Sequence, residues 1–168
     1  MEVRVALAAC VVLGSTLCGK AAADALRRRV NTLDALAEGL RTLKIHMTGL
    51  YEPVRLALER SDCPLLIQVA GGMGDGRGAD EAWRAVRTRA ARRGGPADAL
   101  TPQDMQALDT LFSRLGQSGR DEQEALLNTA AEAVGRLRDA ARKKAADADR
   151  LYVSLGVLVG LMLALIVI

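Results

Sequence analysis

Residues 120–168 read RDEQEALLNTAAEAVGRLRDAARKKAADADRLYVSLGVLVGLMLALIVI, and two patterns run through them without a break. Leu127, Ala130, Ala131, Val134, Leu137 and Ala141 recur at helical steps and so share one face. From Leu151 to Ile168 every residue is uncharged, and as a helix rising about 1.5 Å per residue that run reaches about 27 Å, close to the hydrocarbon thickness of a bilayer. No glycine or proline after Gly135 obliges the first pattern to stop before the second begins. The spacing predicts one helix, opened by Ser118-Gly119-Arg120-Asp121, running from about residue 120 into a membrane span at 151–168, roughly 70 Å in all.

A second apolar run, Val5 to Gly19, extends to Ala23 if the stems of Arg4 and Lys20 bend toward the headgroups on either side, giving a span at 3–23. A secretory signal also begins with a short charged start before an apolar run. Against it, the basic charge falls mostly after the run, at Lys20, Arg27, Arg28 and Arg29. Leu7-Ala8-Ala9-Cys10, which looks like a lipoprotein cleavage box, also comes too early to leave a hydrophobic core. A retained span is therefore the expectation. Short Lys/Arg-rich segments beside a span stay in the cytoplasm. Arg27, Arg28 and Arg29 flank the first span, Arg142, Lys143, Lys144 and Arg150 flank the second, and all lie between the two. Segment 24–150 is then cytosolic, both termini face outward, and membrane lipid is a partner.

That segment is one domain by size. It is rich in Ala, Leu, Arg, Glu and Asp and poor in rings, with Trp83, Phe112 and Tyr51 its large aromatics, which favours helices packed through small and branched aliphatics. The expected fold is all-α, a cytosolic helical bundle between two transmembrane helices. Leu26, Val30, Leu33, Leu36, Leu40, Leu43 and Met47 mark a helix leaving the first span and ending at Gly49–Pro53. Pro53 suits the first turn of a second helix carrying Val54, Leu56, Ala57 and Leu58. Ser61 or Asp62 before Pro64 marks a third start, although Leu65, Leu66, Ile67, Val69 and Ala70 would also serve as a strand by pattern. Asp80 can cap a helix bearing Ala82, Trp83, Val86 and Ala90, which stops at Arg92-Arg93-Gly94-Gly95-Pro96. Thr101-Pro102-Gln103-Asp104 has the cap, the first-turn proline and the acidic third position of a further helix, with Met105, Leu108, Leu111, Phe112 and Leu115 as its stripe and Gly116 as its end.

Catalytic equipment is sparse. Gly71-Gly72-Met73-Gly74-Asp75-Gly76-Arg77-Gly78 superficially looks like a phosphate-cradling loop, but no Gly-Lys-Ser/Thr completes a Walker box and the dinucleotide fingerprint lacks its third glycine, so an interhelical loop is the preferred reading. His46 is the only histidine, better read as a surface or packed residue than as a base, and no cluster for a metal exists. Cys63 at a helix start could have a lowered pKa, without a partner to make it a nucleophile. Cys10 and Cys18 fall in the first span, which leaves no disulfide framework. Asp121 and Glu122 sit on a solvated first turn. The net charge of +3 is explained by the membrane-proximal basic ends and does not call for nucleic acid. No cofactor is expected. Trp83 either anchors the core, the preferred reading, or forms a contact hot spot. The arginines at 84, 87, 89, 92 and 93 give its neighbourhood a positive field that either meets an acidic partner or stays hydrated.

The ordered features resemble the stage III sporulation protein AB family of endospore-forming bacteria, over nearly the whole chain. They are the Arg27-Arg28-Arg29 step, Glu81-Ala82-Trp83, the Leu-Thr-Pro-x-Asp of Leu100 to Asp104, then Leu115, Gly116, Ser118 and Gln123, and finally Ser-Leu-Gly-Val-Leu at Ser154 to Leu158. Two positions depart from the family pattern: Gly119 stands where an Asp is usual, and Leu50-Tyr51-Glu52-Pro53 stands where a Thr-Pro-Leu-Pro-like turn is usual. The resemblance implies a cytosolic part similar to the cytoplasmic domains of the type II secretion inner-membrane platform protein. It also implies a place in the mother-cell membrane around the developing spore, in a secretion-like channel complex. Members are thought to act beside a cytosolic secretion-type ATPase and other membrane subunits of the complex. The expected function is thus a non-enzymatic membrane platform. A membrane-tethered signalling adaptor is the alternative, and a hydrolase using Cys63 or His46 stands a distant third.

Overall fold

The computed structural model describes the backbone of residues 2–167 and the side chains of residues 23–151, Asp75 and Asp149 excepted. Every regular element within it is helical: α1 Glu2–Lys44, closed by a π-turn at Ile45–Gly49; α2 Val54–Glu59; α3 Pro64–Gly72, followed by a 3₁₀ turn at Gly74–Gly76; α4 Ala79–Ala90; α5 Pro102–Phe112; and α6 Arg120–Val167. The all-α expectation holds. The side chains of both expected spans, 3–23 and 151–168, lie outside the described residues, and among the described residues no helix is long and apolar enough to cross a membrane.

Two long antiparallel helices organise everything else. α1 has 43 residues and α6 has 48, so each is about 65–70 Å long. α6 is unbroken from Arg120 onward, as the absence of a breaker between Gly135 and the apolar run at Leu151 predicts. Their register is pinned at two heights: Lys44 Nζ lies 2.9 Å from Asn128 Oδ1 and 3.1 Å from Glu124, and Arg142 donates to Asp34 Oδ1 at 2.8 Å. Between these rungs, buried Leu33, Leu36, Leu40 and Leu43 face buried Leu127, Val134 and Ala141, with Ala130 and Leu137 half-buried. Steps of three and four on one helix against steps of seven on the other make the knobs-into-holes seam of a coiled coil. The start of α1 and the end of α6 consequently leave the bundle at the same end, the base. The π-turn and the α5–α6 connection lie at the opposite end, the tip.

α2 to α5 cover one flank of this pair. α3 is a helix, not a strand: Leu65, Leu66, Val69 and Ala70 are buried, whereas Ile67 is 42% exposed, a helical spacing. Neither Ser61 nor Asp62 caps it. The residue before its first turn is Cys63, Pro64 occupies the first turn, and Ser61 Oγ instead donates to the Leu58 carbonyl at 2.7 Å. α4 likewise follows Gly78, and Asp80 lies within its first turn, where it favours the positive end of the helix dipole. The expected cap of α5 is present in full. Thr101 Oγ1 accepts from the Asp104 amide while Asp104 Oδ2 accepts from the Thr101 amide.

The α2–α3 turn approaches α1 so closely that only glycine fits at position 39. A Cβ there would lie 2.6 Å from Cys63 Cβ and 3.3 Å from the Ser61 carbonyl oxygen. Leu58, Leu66, Leu108, Leu111 and Phe112 complete a core built mostly of leucine, each fully buried side chain contributing about 1.5–3 kcal/mol of apolar transfer.

Candidate functional site

Arg29 and Asp104 meet at the base across 75 positions of sequence. Nε donates to Oδ2 and Nη2 to Oδ1, both at 2.8 Å, a bidentate pair whose side chains are 11% and 1% exposed. Asp104 therefore serves two helices, as the capping acid of α5 and as the anchor of α1. The hydrogen bond to Asp104 holds the Arg29 guanidinium above its ordinary pKa, against the opposing effect of burial. Burial on its own would raise the Asp104 carboxyl. Hydrogen bonds from Arg29 and Thr101, with the attraction of the Arg29 charge, outweigh it and hold that carboxyl below the usual range.

Arg29, expected as one of the basic residues flanking the first span, is a buried cation paired with the first turn of α5. Its six companions differ from it in burial. Arg27, Arg28, Lys143, Lys144 and Arg150 are exposed, and Arg142, also exposed, pairs with Asp34. Sequence reasoning assigned Arg29 and Asp104 to separate local roles, a flanking cation and a helix cap. The one available signal for their union was that each is a charged residue beside an apolar stripe.

Trp83 is 2% exposed and stacks on Phe112 with ring centroids 4.8 Å apart and planes 21° from parallel. The core reading of this residue is the one the packing displays. Its indole N–H donates to Asp109 Oδ1 at 2.7 Å, and Arg87 pairs with the other oxygen of Asp109 at 3.1 Å. Asp109, which the sequence analysis did not single out, thus satisfies a buried indole and neutralises one arginine of α4. Arg84 pairs with Asp80 one turn back at 2.8 Å, and Glu81 is exposed. Part of the positive field expected along α4 is thereby cancelled, and what remains lies toward its C-terminal end.

Gly116, Ser118 and Gln123 converge at the tip. Gln123, 5% exposed, accepts from the Gly116 amide at 2.9 Å and donates to the Arg114 carbonyl at 3.1 Å and to Ser118 Oγ at 2.6 Å. One side chain closes the α5–α6 turn, and the positive φ of +80° at Gly116 lets the chain reverse there. Across from it, Arg120 lies over the Tyr51 ring, 4.4 Å from its centroid, and donates to the Thr48 carbonyl. Tyr51 has φ 58°, the left-handed region uncommon for a side chain of this size.

The residues considered for catalysis are not assembled for it. Cys63 is 2% exposed, and burial pushes its thiol up, opposite to the lowering a helix start suggested. His46 Nδ1 lies 2.9 Å from Glu52 Oε2, and Glu52 also pairs with Arg60. His46 and Cys63 are not brought together by any hydrogen bond among the described residues. Asp121 and Glu122 are exposed on the first turn of α6. Among the described residues no group of three metal-ligating side chains gathers. The Gly71–Gly78 segment finishes α3 and turns to α4 without a strand before it.

The arrangement is one of joints, in which each long-range polar group links two helices. In comparison with known proteins, the family model described as stage III sporulation protein AB matches residues 4–168. No curated protein and no solved structure matches the chain.

Proposed function

The chain belongs to the stage III sporulation protein AB family, so its role is in sporulation, and from that premise we propose that it is a non-enzymatic membrane platform subunit. In this reading the apolar ends of α1 and α6 anchor it in the mother-cell membrane, and the bundle between them faces the cytosol. There it docks a secretion-type ATPase and the other membrane subunits of a secretion-like channel complex.

The observation that carries the reading is the antiparallel α1–α6 seam. It delivers two uncharged runs to the same end of one bundle, with Arg28, Lys143, Lys144 and Arg150 exposed where each helix leaves it. The joints support it as well. A buried bidentate pair, a tryptophan held by an aspartate and a glutamine-closed turn make a body suited to hold its shape under a partner rather than to open around a substrate. Crosslinking followed by purification from sporulating-cell membranes tests it. Recovery with an ATPase and sibling membrane proteins is expected. Recovery as a lone soluble monomer overturns it, and so does trimming of residues 24–150 by protease added outside intact cells.

A further inference from the structure

We infer that the α4–α5 turn is a third membrane contact, in which Arg92 and Arg93 bind the phosphate groups of anionic lipids. The inference rests on the proposed reading that α1 and α6 continue into a bilayer.

The turn lies at the base, where both long helices leave the bundle. Two independent contacts place it there. Asp104, two residues into α5, is bound to Arg29, and Pro96 shares the walls of a shallow depression of about 210 Å³ with Asn31, Thr32 and Ala35 of α1. α4 runs antiparallel to α5, since Trp83 meets Phe112 and Arg87 meets Asp109, so the end of α4 comes to the level where α5 begins. These contacts lie six to twelve residues beyond Ala23, about 9–18 Å along the axis of α1, and an extended arginine side chain from the nearer level reaches a leaflet's polar layer roughly 5–7 Å deep.

Charge selects the ligand. Arg92 and Arg93 are exposed, and neither makes an ion pair or a side-chain hydrogen bond among the described residues. Arg28, Lys143 and Lys144 are exposed at nearly the same height on α1 and α6, so three separate elements present cations around one end. Among the described side chains of these segments the exposed acids are Asp24, Asp98 and Asp147, and Asp98 is engaged with the turn itself, accepting from the Gly94 amide at 3.0 Å. The Gly95 amide donates to the Arg92 carbonyl at 2.8 Å and the Ala97 amide to that of Ala90 at 3.0 Å, so the turn is closed on itself and presents both arginines from a fixed backbone. Within about 8–10 Å of an anionic surface such cations are attracted with little screening, each arginine strengthening the contact roughly fivefold.

The full chain, reconstituted in vesicles of phosphatidylcholine alone or with phosphatidylglycerol, is followed by flotation and by amide hydrogen exchange. The expected result is co-flotation with both vesicles, exchange across 91–98 several-fold slower with phosphatidylglycerol only, and loss of that difference in the R92E/R93E double variant. Unchanged exchange across 105–112 shows that the variant is folded. Co-flotation with equal exchange in the two lipids, or slowing that persists in the folded variant, overturns the inference and leaves the membrane reading standing. Failure to float with either vesicle overturns both.

Discussion

The base and the tip of the bundle are joined by different kinds of contact. At the base, Arg29 and Asp104 meet largely out of water through two parallel charge-assisted hydrogen bonds. At the tip, Arg120, Tyr51, Glu52 and Arg60 form contacts of similar chemistry, but Tyr51 is 69% exposed and the side chain of Arg60 is 52% exposed. Ion pairs at an open surface are worth about 0–1 kcal/mol, whereas leaving one buried partner alone costs several times that. The base therefore ties the first turn of α5 to α1, whereas the exposed Arg120–Tyr51 and Arg60–Glu52 contacts of the tip are free to change with little effect on the fold.

The comparison breaks if Asp104→Ala is mild. It leaves Arg29 buried without a partner and removes the reciprocal half of the α5 capping box, the bond from the Thr101 amide, so a loss of about 3–5 kcal/mol is expected in chemical denaturation of the detergent-solubilised chain. The acid limb of the stability curve sharpens the same point. Because the folded carboxyl of Asp104 lies below its ordinary value, the unfolded chain binds more protons in that interval. The stabilisation is complete above the usual carboxylate range near pH 4 and is lost as pH falls through the lower folded value. Asp104→Asn abolishes this component of the acid loss. The complementary elevation of Arg29 matters only far above neutral pH, so it leaves no signature in the working range.

Gly39→Ala comes next. The added methyl meets Cys63 Cβ and the backbone of Ser61, so overpacking costs about 1–3 kcal/mol, read as a lower denaturation midpoint at unchanged slope. Gln123→Ala strips three hydrogen bonds from the α5–α6 turn and is expected to cost about 1–2 kcal/mol, with faster amide exchange confined to 113–123. Arg120→Ala, at the tip, is expected to cost less than about 1 kcal/mol. A loss as large as that of Asp104→Ala would erase the distinction between the two ends.

Much of this architecture was legible in advance because its signals are local. The stripe from Leu33 to Leu43, the unbroken run after Arg120 and the Thr101–Asp104 cap each depend on residues a turn or two apart, and each is present as read. The two missed caps share a cause. Asp80 and Ser61 have the chemistry of caps, but a cap is chosen by where the preceding turn brings the backbone, and here Gly78 and Cys63 occupy those places. The apolar run at Leu65–Ala70 is too short for its period to separate helix from strand. Cys63 stands at a helix start, as expected, yet desolvation by its neighbours outweighs what the helix start offers a thiolate.

By itself the sequence determined an all-helical chain with an apolar run near each end, basic flanks and no cluster of catalytic side chains, because composition and period act within a few residues. Only the tertiary structure decided which of those charges would be used up. Arg28 and Arg29 are neighbours of the same kind, and the first turn of α5 brings Asp104 to one of them and leaves the other exposed. Pairing across 75 residues depends on where a helix lands, and the landing is set by core packing, of which a run of letters carries only one side.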